Sequence, residues 1–211
     1  MSLLDVQRSL VGFARGSSTE FQGCDNLTRA EYEWLKQLQD SPGLQVTQQI
    51  QQWWRIARVC ASAPLTIELL KRAGLEELIV EYITTEPVRS LFFVAELEQF
   101  KCFLQRQIAV DATTHRVIEF EVALKNAYQT SVSGTSASAA TEAPQQFHFT
   151  QNPIQLFTAL LTGTPLPTAV EHHCVIVSPD LPQHWCLAPK VDNLIAKMPN
   201  NAEQISPALT S

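Results

Sequence analysis

The chain is poor in the residues that announce a chemistry. Among 211 residues there are 7 glycines and 2 methionines, and charged side chains make up 17%. There is no GxGxxG, no P-loop GK[ST], and no HExxH, GxSxG or CxxC. Dinucleotide, nucleotide, zinc-protease and hydrolase readings therefore lose their cheapest support. An excess of positive charge is also missing: residues 1–129 hold 13 Lys and Arg against 16 Asp and Glu, and residues 130–211 hold 2 against 5. Affinity for DNA depends first on neutralising phosphates, so neither half carries a nucleic-acid footprint. No run approaches the roughly 18 apolar residues of a membrane span. The opening "MSLLDVQRSLVGFARG" has no basic stretch followed by a continuous apolar one and a small-residue cleavage site, so no signal peptide and a cytoplasmic protein are expected. Five cysteines, an odd number scattered at Cys24, Cys60, Cys102, Cys174 and Cys186, fit reduced thiols better than a disulfide framework.

What is present is an apolar content of 45%, enough for a sizeable core, arranged with two different periods. The first 129 residues read as six or seven helices. Leu3, Leu4, Val6, Leu10 and Phe13 make the first amphipathic. A Gly/Ser/Thr-rich break follows at 16–27, and then Thr28 with Glu31, a capping-box pair. "SPG" at 41–43 is expected to end the next helix. Ile50, Trp53, Trp54, Ala57 and Cys60 recur on one helical face, which predicts the tryptophan pair in the core. Pro64 and Gly74 suit the start and end of one helix. Phe93, Leu97, Phe100 and Leu104 form a further stripe, and Val117, Phe120, Leu124 and Tyr128 another. Glu119 and Glu121 point to different faces, one solvated and one flanking the core, and make a poor acid/base pair.

The stretch 130–146, "TSVSGTSASAATEAPQQ", buries too little to offset the ordering of its backbone. It predicts a flexible linker between a helical domain, 1–129, and a small α+β domain, 147–198, with a disordered tail at 199–211. In the second domain "FHFT" can be a strand, Asn152 and Pro153 start a helix closed by Gly163, and "CVIVS" and "HWCLA" are strands joined by "PDLPQ". The expected fold is thus α+β: an N-terminal all-helical bundle, then a small C-terminal α/β recognition domain with a short antiparallel sheet. A last short helix is expected around Leu194 and Ile195.

One constellation carries candidate chemistry. In "EHHCVIVSPDLPQHWCLAPK", residues 171–190, a hairpin centred on Leu181 sets Ser178 opposite His184, Ile176 opposite Cys186 and Cys174 opposite Ala188. Val175, Val177, Trp185 and Leu187 then share the core face. His172, Cys174, Ile176, His184 and Cys186 share the other. Thiolates beside imidazoles can bind zinc or copper, which opens a Cys/His metal-binding or redox protein. The spacing matches no closed site, and Ile176 stands among the supposed ligands. The same hairpin has a second use, because a sheet edge can take an extended peptide as an added strand.

The run "WWRIARVCASAPLTIELLKRAGLEELIVEYITTEPVRSLFFVAELEQFKCFL", then "VIEFEVAL" and "NPIQLFTALLTGTPLP...VIVSPDLPQHWCLAP", resembles a family of partner subunits. These serve multinuclear non-heme iron oxidases that modify ribosomally made peptides (MbnC-like and TglI-like). The resemblance covers roughly residues 28–190 and rests on diffuse apolar patterns. It implies a non-catalytic protein whose C-terminal domain binds the leader of a precursor peptide and presents it, at a cysteine by analogy, to a TIM-barrel oxidase in a heterodimer. It also implies that the iron belongs to the oxidase, with no cofactor in this chain. The positions matching the family's peptide-binding elements are Cys174, Val175, Ile176, Val177, Ser178, His184, Trp185 and Cys186, with Leu156 and Leu160 of the neighbouring helix. No catalytic or metal-ligating residue carries over. Relatives have been labelled DNA-binding, which leaves a transcription regulator as a further alternative that the acidic balance opposes.

Overall fold

The local signals read from the sequence set most of the helix ends in the computed structural model, which describes residues 3–15, 27–87, 92–133, 143–168 and 170–188. After α1 (Leu3–Arg15), helix α2 (Arg29–Gln39) starts at the capping box: Thr28 Oγ1 accepts from the Glu31 amide at 3.3 Å, and the Glu31 carboxylate accepts from the Thr28 amide at 2.8 Å. The residues "SPG" do more than end α2. Ser41 Oγ accepts from the Leu44 amide and Pro42 takes the first helical position, so they open α3 (Pro42–Ser62). Pro64 opens α4 (Pro64–Arg72), and Gly74, at φ +68°, closes it. There the Gly74 amide donates to the Lys71 carbonyl and the Leu75 amide to that of Leu70, satisfying two carbonyls the helix leaves free. Then come α5 (Glu77–Thr85), α6 (Phe93–Leu104) and α7 (Ala112–Ser133). Helix α7 runs past residue 129 to Ser133, so the start of the expected linker is helical. Residues 16–26, residues 134–142, the helix expected around Leu194 and the tail 199–211 lie outside the described residues.

Three strands and one helix follow: β1 (Gln145–Phe149), α8 (Pro153–Thr162), β2 (His173–Val177) and β3 (Trp185–Leu187), in one antiparallel sheet of order β1-β2-β3. Asn152 caps α8 by accepting from the Ile154 and Gln155 amides, and Gly163, at φ +72°, ends it. The fold is α+β with helices dominating, as expected.

The face of α3 differs from expectation. Trp53 is 64% exposed, Trp54 55% and Ile50 49%, whereas the side turned inward carries Leu44, Arg55, Arg58, Val59 and Ser62. The cause is a buried ion pair that apolar periodicity cannot anticipate. Arg55 Nε donates to Glu96 Oε1 at 2.9 Å, and Arg55 Nη1 donates to the Ile83 and Glu86 carbonyls. Tyr82 donates its hydroxyl to the same Glu96 oxygen, and Arg55 lies over the Tyr82 ring. Phe93 and Tyr128, placed by their spacing in two core stripes, are also exposed; Phe93 is the first residue of α6, and the Tyr128 ring meets His184.

Two large cores result. One gathers Val59, Ile67, Tyr82, Phe100, Leu104 and Ile118 among α3 to α7. The other joins Leu65 and Leu69 of α4 and Phe120 of α7 to Phe147, Leu156 and Val175 of the sheet and α8. The sheet therefore packs directly on the helical half. Phe120 is its anchor, with its ring 4.9 Å from Phe157, 5.9 Å from Trp185, 6.1 Å from Phe147 and 6.2 Å from Phe149.

Candidate functional site

The hairpin forms in the register its sequence implies. Ile176 pairs with Cys186, Val175 with Leu187 and Val177 with Trp185. The Ser178 amide donates to the His184 carbonyl at 3.0 Å, and the Ala188 amide to that of Cys174 at 2.8 Å. Val175 and Val177 are buried, and Trp185 and Leu187 pack against the same core.

Hydrogen-bonding parity then decides which groups are free. In an antiparallel pair the backbone groups of successive residues face alternately toward and away from the partner. His184, Cys186 and Ala188 face β2, so the amides and carbonyls of Trp185 and Leu187 face outward, where they meet no partner among the described residues. β2 is the central strand, paired with β1 as well, so its backbone from Cys174 to Ser178 is spoken for. Leu156 and Leu160 are buried in the core beneath and hold the sheet rather than presenting a surface. Of the ten positions suggested by resemblance, Trp185 alone turns its backbone groups to the outer edge; Leu187, which lies in the matching strand His184–Ala188, joins it.

The Cys/His constellation does not assemble. Cys174 stands opposite Ala188 rather than Cys186, and the register puts Ile176 between them. His184 leaves the strand with φ +61°, and its ring swings to α7, 5.9 Å from the Tyr128 ring, with Nε2 3.5 Å from Ser131 Oγ. His173, not His172, has a carboxylate neighbour, Glu171 at 3.2 Å. Among the described residues no three His, Cys, Asp or Glu side chains converge as a metal set, and the four described cysteines are free thiols.

Beside β3 lies a cleft of about 340 Å³ that the sequence did not reveal. Its apolar wall includes Leu65, Phe120, Leu124, Phe157, Leu161 and Trp185, and its polar lining is Ser62, Glu121 and Lys125. Glu121 is buried because it caps α4 from α7: its oxygens accept from the Leu65 amide at 2.8 Å, the Thr66 amide at 3.1 Å and the Thr66 hydroxyl at 2.6 Å. Ala63 at that helix start has no capping side chain of its own, so Glu121 supplies the acceptors. Burial pushes the Glu121 carboxyl up to about 7, against those hydrogen bonds and the field of Lys125. Ser62 Oγ is buried here with no hydrogen-bond partner among the described residues. The signal for this site was the pair Glu119 and Glu121 on opposite faces; what it lacked was the identity of the helix start that Glu121 meets.

A second hollow, of about 330 Å³, adjoins the first through Lys125 and is lined by Phe92, Phe93, Tyr128 and Val132. Elsewhere on the surface Val46, Ile50, Trp53 and Trp54 leave an apolar stripe on α3, in a segment without one charged residue from Pro42 to Trp54. Among the described residues no helix is long and apolar enough to cross a membrane. Comparison of the chain with protein-family models, with curated proteins and with solved structures finds no match.

Proposed function

We propose that this chain is a non-catalytic partner protein that binds a ribosomally made precursor peptide as an added strand on β3 and presents it to an iron-dependent oxidase subunit. The observation that carries the reading is the outer edge of β3: two residues, Trp185 and Leu187, with outward amides and carbonyls beside an apolar cleft. An extended peptide gains main-chain hydrogen bonds there whatever its sequence, while its alternate side chains reach the cleft. Holding the peptide's leader raises the local concentration of the residue to be modified, so no catalytic group is needed in this chain. The uncharged apolar stripe on α3 suits the second half of the reading, since a patch of this kind marks a protein contact and here would meet the oxidase.

The test is affinity purification of the tagged chain from its native host, with metal analysis and mass spectrometry of what is retained. An iron-containing protein together with a short peptide is expected, and the iron protein should be lost with Trp53→Ala plus Trp54→Ala while the peptide is kept. Recovery of neither would contradict the proposal.

A further inference from the structure

Glu121, Leu124, Lys125, Tyr128 and Val132 recur on α7 at helical spacing, so they form one stripe, and this stripe floors the hollow beside Trp185 and the one that adjoins it. The start of β3 lies beside it: His184, just before the strand, touches Tyr128, and Trp185 shares the first hollow with Glu121, Leu124 and Lys125. A strand added outside β3 therefore lies above the stripe, with every second side chain turned down toward it. Lys125 lines both hollows and so stands between them. It is half-buried and makes no ion pair among the described residues. The carboxyl nearest to it in effect, Glu121, is committed to the α4 amides.

We infer that this track selects an extended peptide bearing apolar side chains four residues apart with an acidic side chain midway, read by Lys125. The inference rests on strand addition at β3 and adds the sequence that the site prefers. The α7 positions lining the two hollows, 120–125 and 125–132, have midpoints about six residues and so roughly 9 Å apart along the helix. Side chains at i and i+4 of an extended chain start about 13 Å apart and reach both by leaning inward, which leaves i+2 above the ammonium. Charge complementarity at such a point decides which peptide binds more than how tightly any peptide binds. A basic residue at i+2 meets a like charge in a partly desolvated place, and an apolar one leaves the ammonium without a partner.

The experiment pans a displayed library of random linear decapeptides on the full chain and, in parallel, on Lys125→Glu, with circular dichroism confirming that both are folded. The wild type is expected to enrich apolar-x-acidic-x-apolar sequences, and Lys125→Glu to enrich Lys or Arg at the middle position. The best wild-type peptide should bind the variant at least about tenfold more weakly. Enrichment of the apolar spacing with no charge preference, or with the same preference for both proteins, overturns the inference and leaves strand addition standing. No enrichment by either protein overturns strand addition itself. Displacement of every selected peptide by a synthetic peptide of residues 190–211 assigns the track to the chain's own C-terminal segment and also overturns the inference.

Discussion

At Glu121 one carboxyl joins two parts of the molecule, and its titration offers a direct check. A carboxyl whose folded pKa rises from the ordinary 4.5 to about 7 holds its proton more tightly in the folded state. Its contribution to stability is then fully present below pH 4.5 and is lost as pH rises through about 7. The wild type should therefore lose on the order of 3 kcal/mol of unfolding free energy across that window from this group alone. Glu121→Gln cannot titrate, so urea unfolding at a series of pH values should show the wild type's advantage over the variant shrinking between pH 4.5 and pH 8. An advantage that grows with pH would mean that the hydrogen bonds from Thr66 and Leu65 dominate over burial. At this scale the sequence was informative wherever a residue acts on its own backbone neighbourhood. Thr28 with Glu31, Asn152 with Pro153, and Gly74 and Gly163 all act within a few positions and were legible. Glu121 acts across 55 residues, and no local pattern encodes that.

Helix α3 shows what periodicity can and cannot reveal about an element. The helix itself was legible and Cys60 of the expected stripe does pack against the core, but Ile50, Trp53 and Trp54 turn outward, which the pattern hid because the tryptophans outweigh Arg55 on any scale of apolarity. The buried Arg55–Glu96 pair ties α3 to α6, and the carbonyls of Ile83 and Glu86 bring in α5 and the turn after it. Removing one member leaves the other charged and buried, so Arg55→Ala and Glu96→Ala should each cost about 3–5 kcal/mol in urea unfolding. Trp53→Ala, a far larger loss of apolar area on paper, should cost less than about 0.5 kcal/mol, as a surface change does. A cost for Trp53 comparable with that for Arg55 would restore the orientation expected from the sequence.

The hairpin is the opposite case. Alternation along "CVIVS" and "HWCLA", with a loop of fixed length, set both faces and the register, because a slip of one residue would turn Val175, Val177, Trp185 and Leu187 to solvent. What alternation could not supply was His184 at φ +61°, which removes that side chain from the face of Cys174 and Cys186. Peptide binding at this element should depend on backbone rather than thiols. Leu187→Pro deletes an outward amide without touching a hydrogen bond to β2, and it should weaken binding of a display-selected peptide at least about tenfold. Cys174→Ser with Cys186→Ser should change that affinity less than about twofold, since neither thiol faces the edge. Fluorescence anisotropy compares the variants, and the reverse order would return attention to the side chains.

Across the whole molecule the sheet and the helical half share a core through Phe120, Leu65 and Leu69. This was the least legible feature, since it depends on which apolar stripes meet. The stripe Val117, Phe120 and Leu124 marks a buried face on α7 but says nothing of the sheet that covers it. The consequence for function is positional. Packing on α7 holds β1 and β2 in place and leaves β3 as the strand whose outer side meets Leu124 and Lys125 across a cleft. The central claim is that this edge, and not the β1 edge or the hairpin's side chains, receives the peptide. Amide hydrogen exchange by NMR, with and without a display-selected peptide, tests it most directly. The Trp185 and Leu187 amides should slow at least about tenfold on binding, while Cys186, already bonded to Ile176, changes little. Slowing at Gln146 and His148 on the outer side of β1, or at neither edge, would contradict the account.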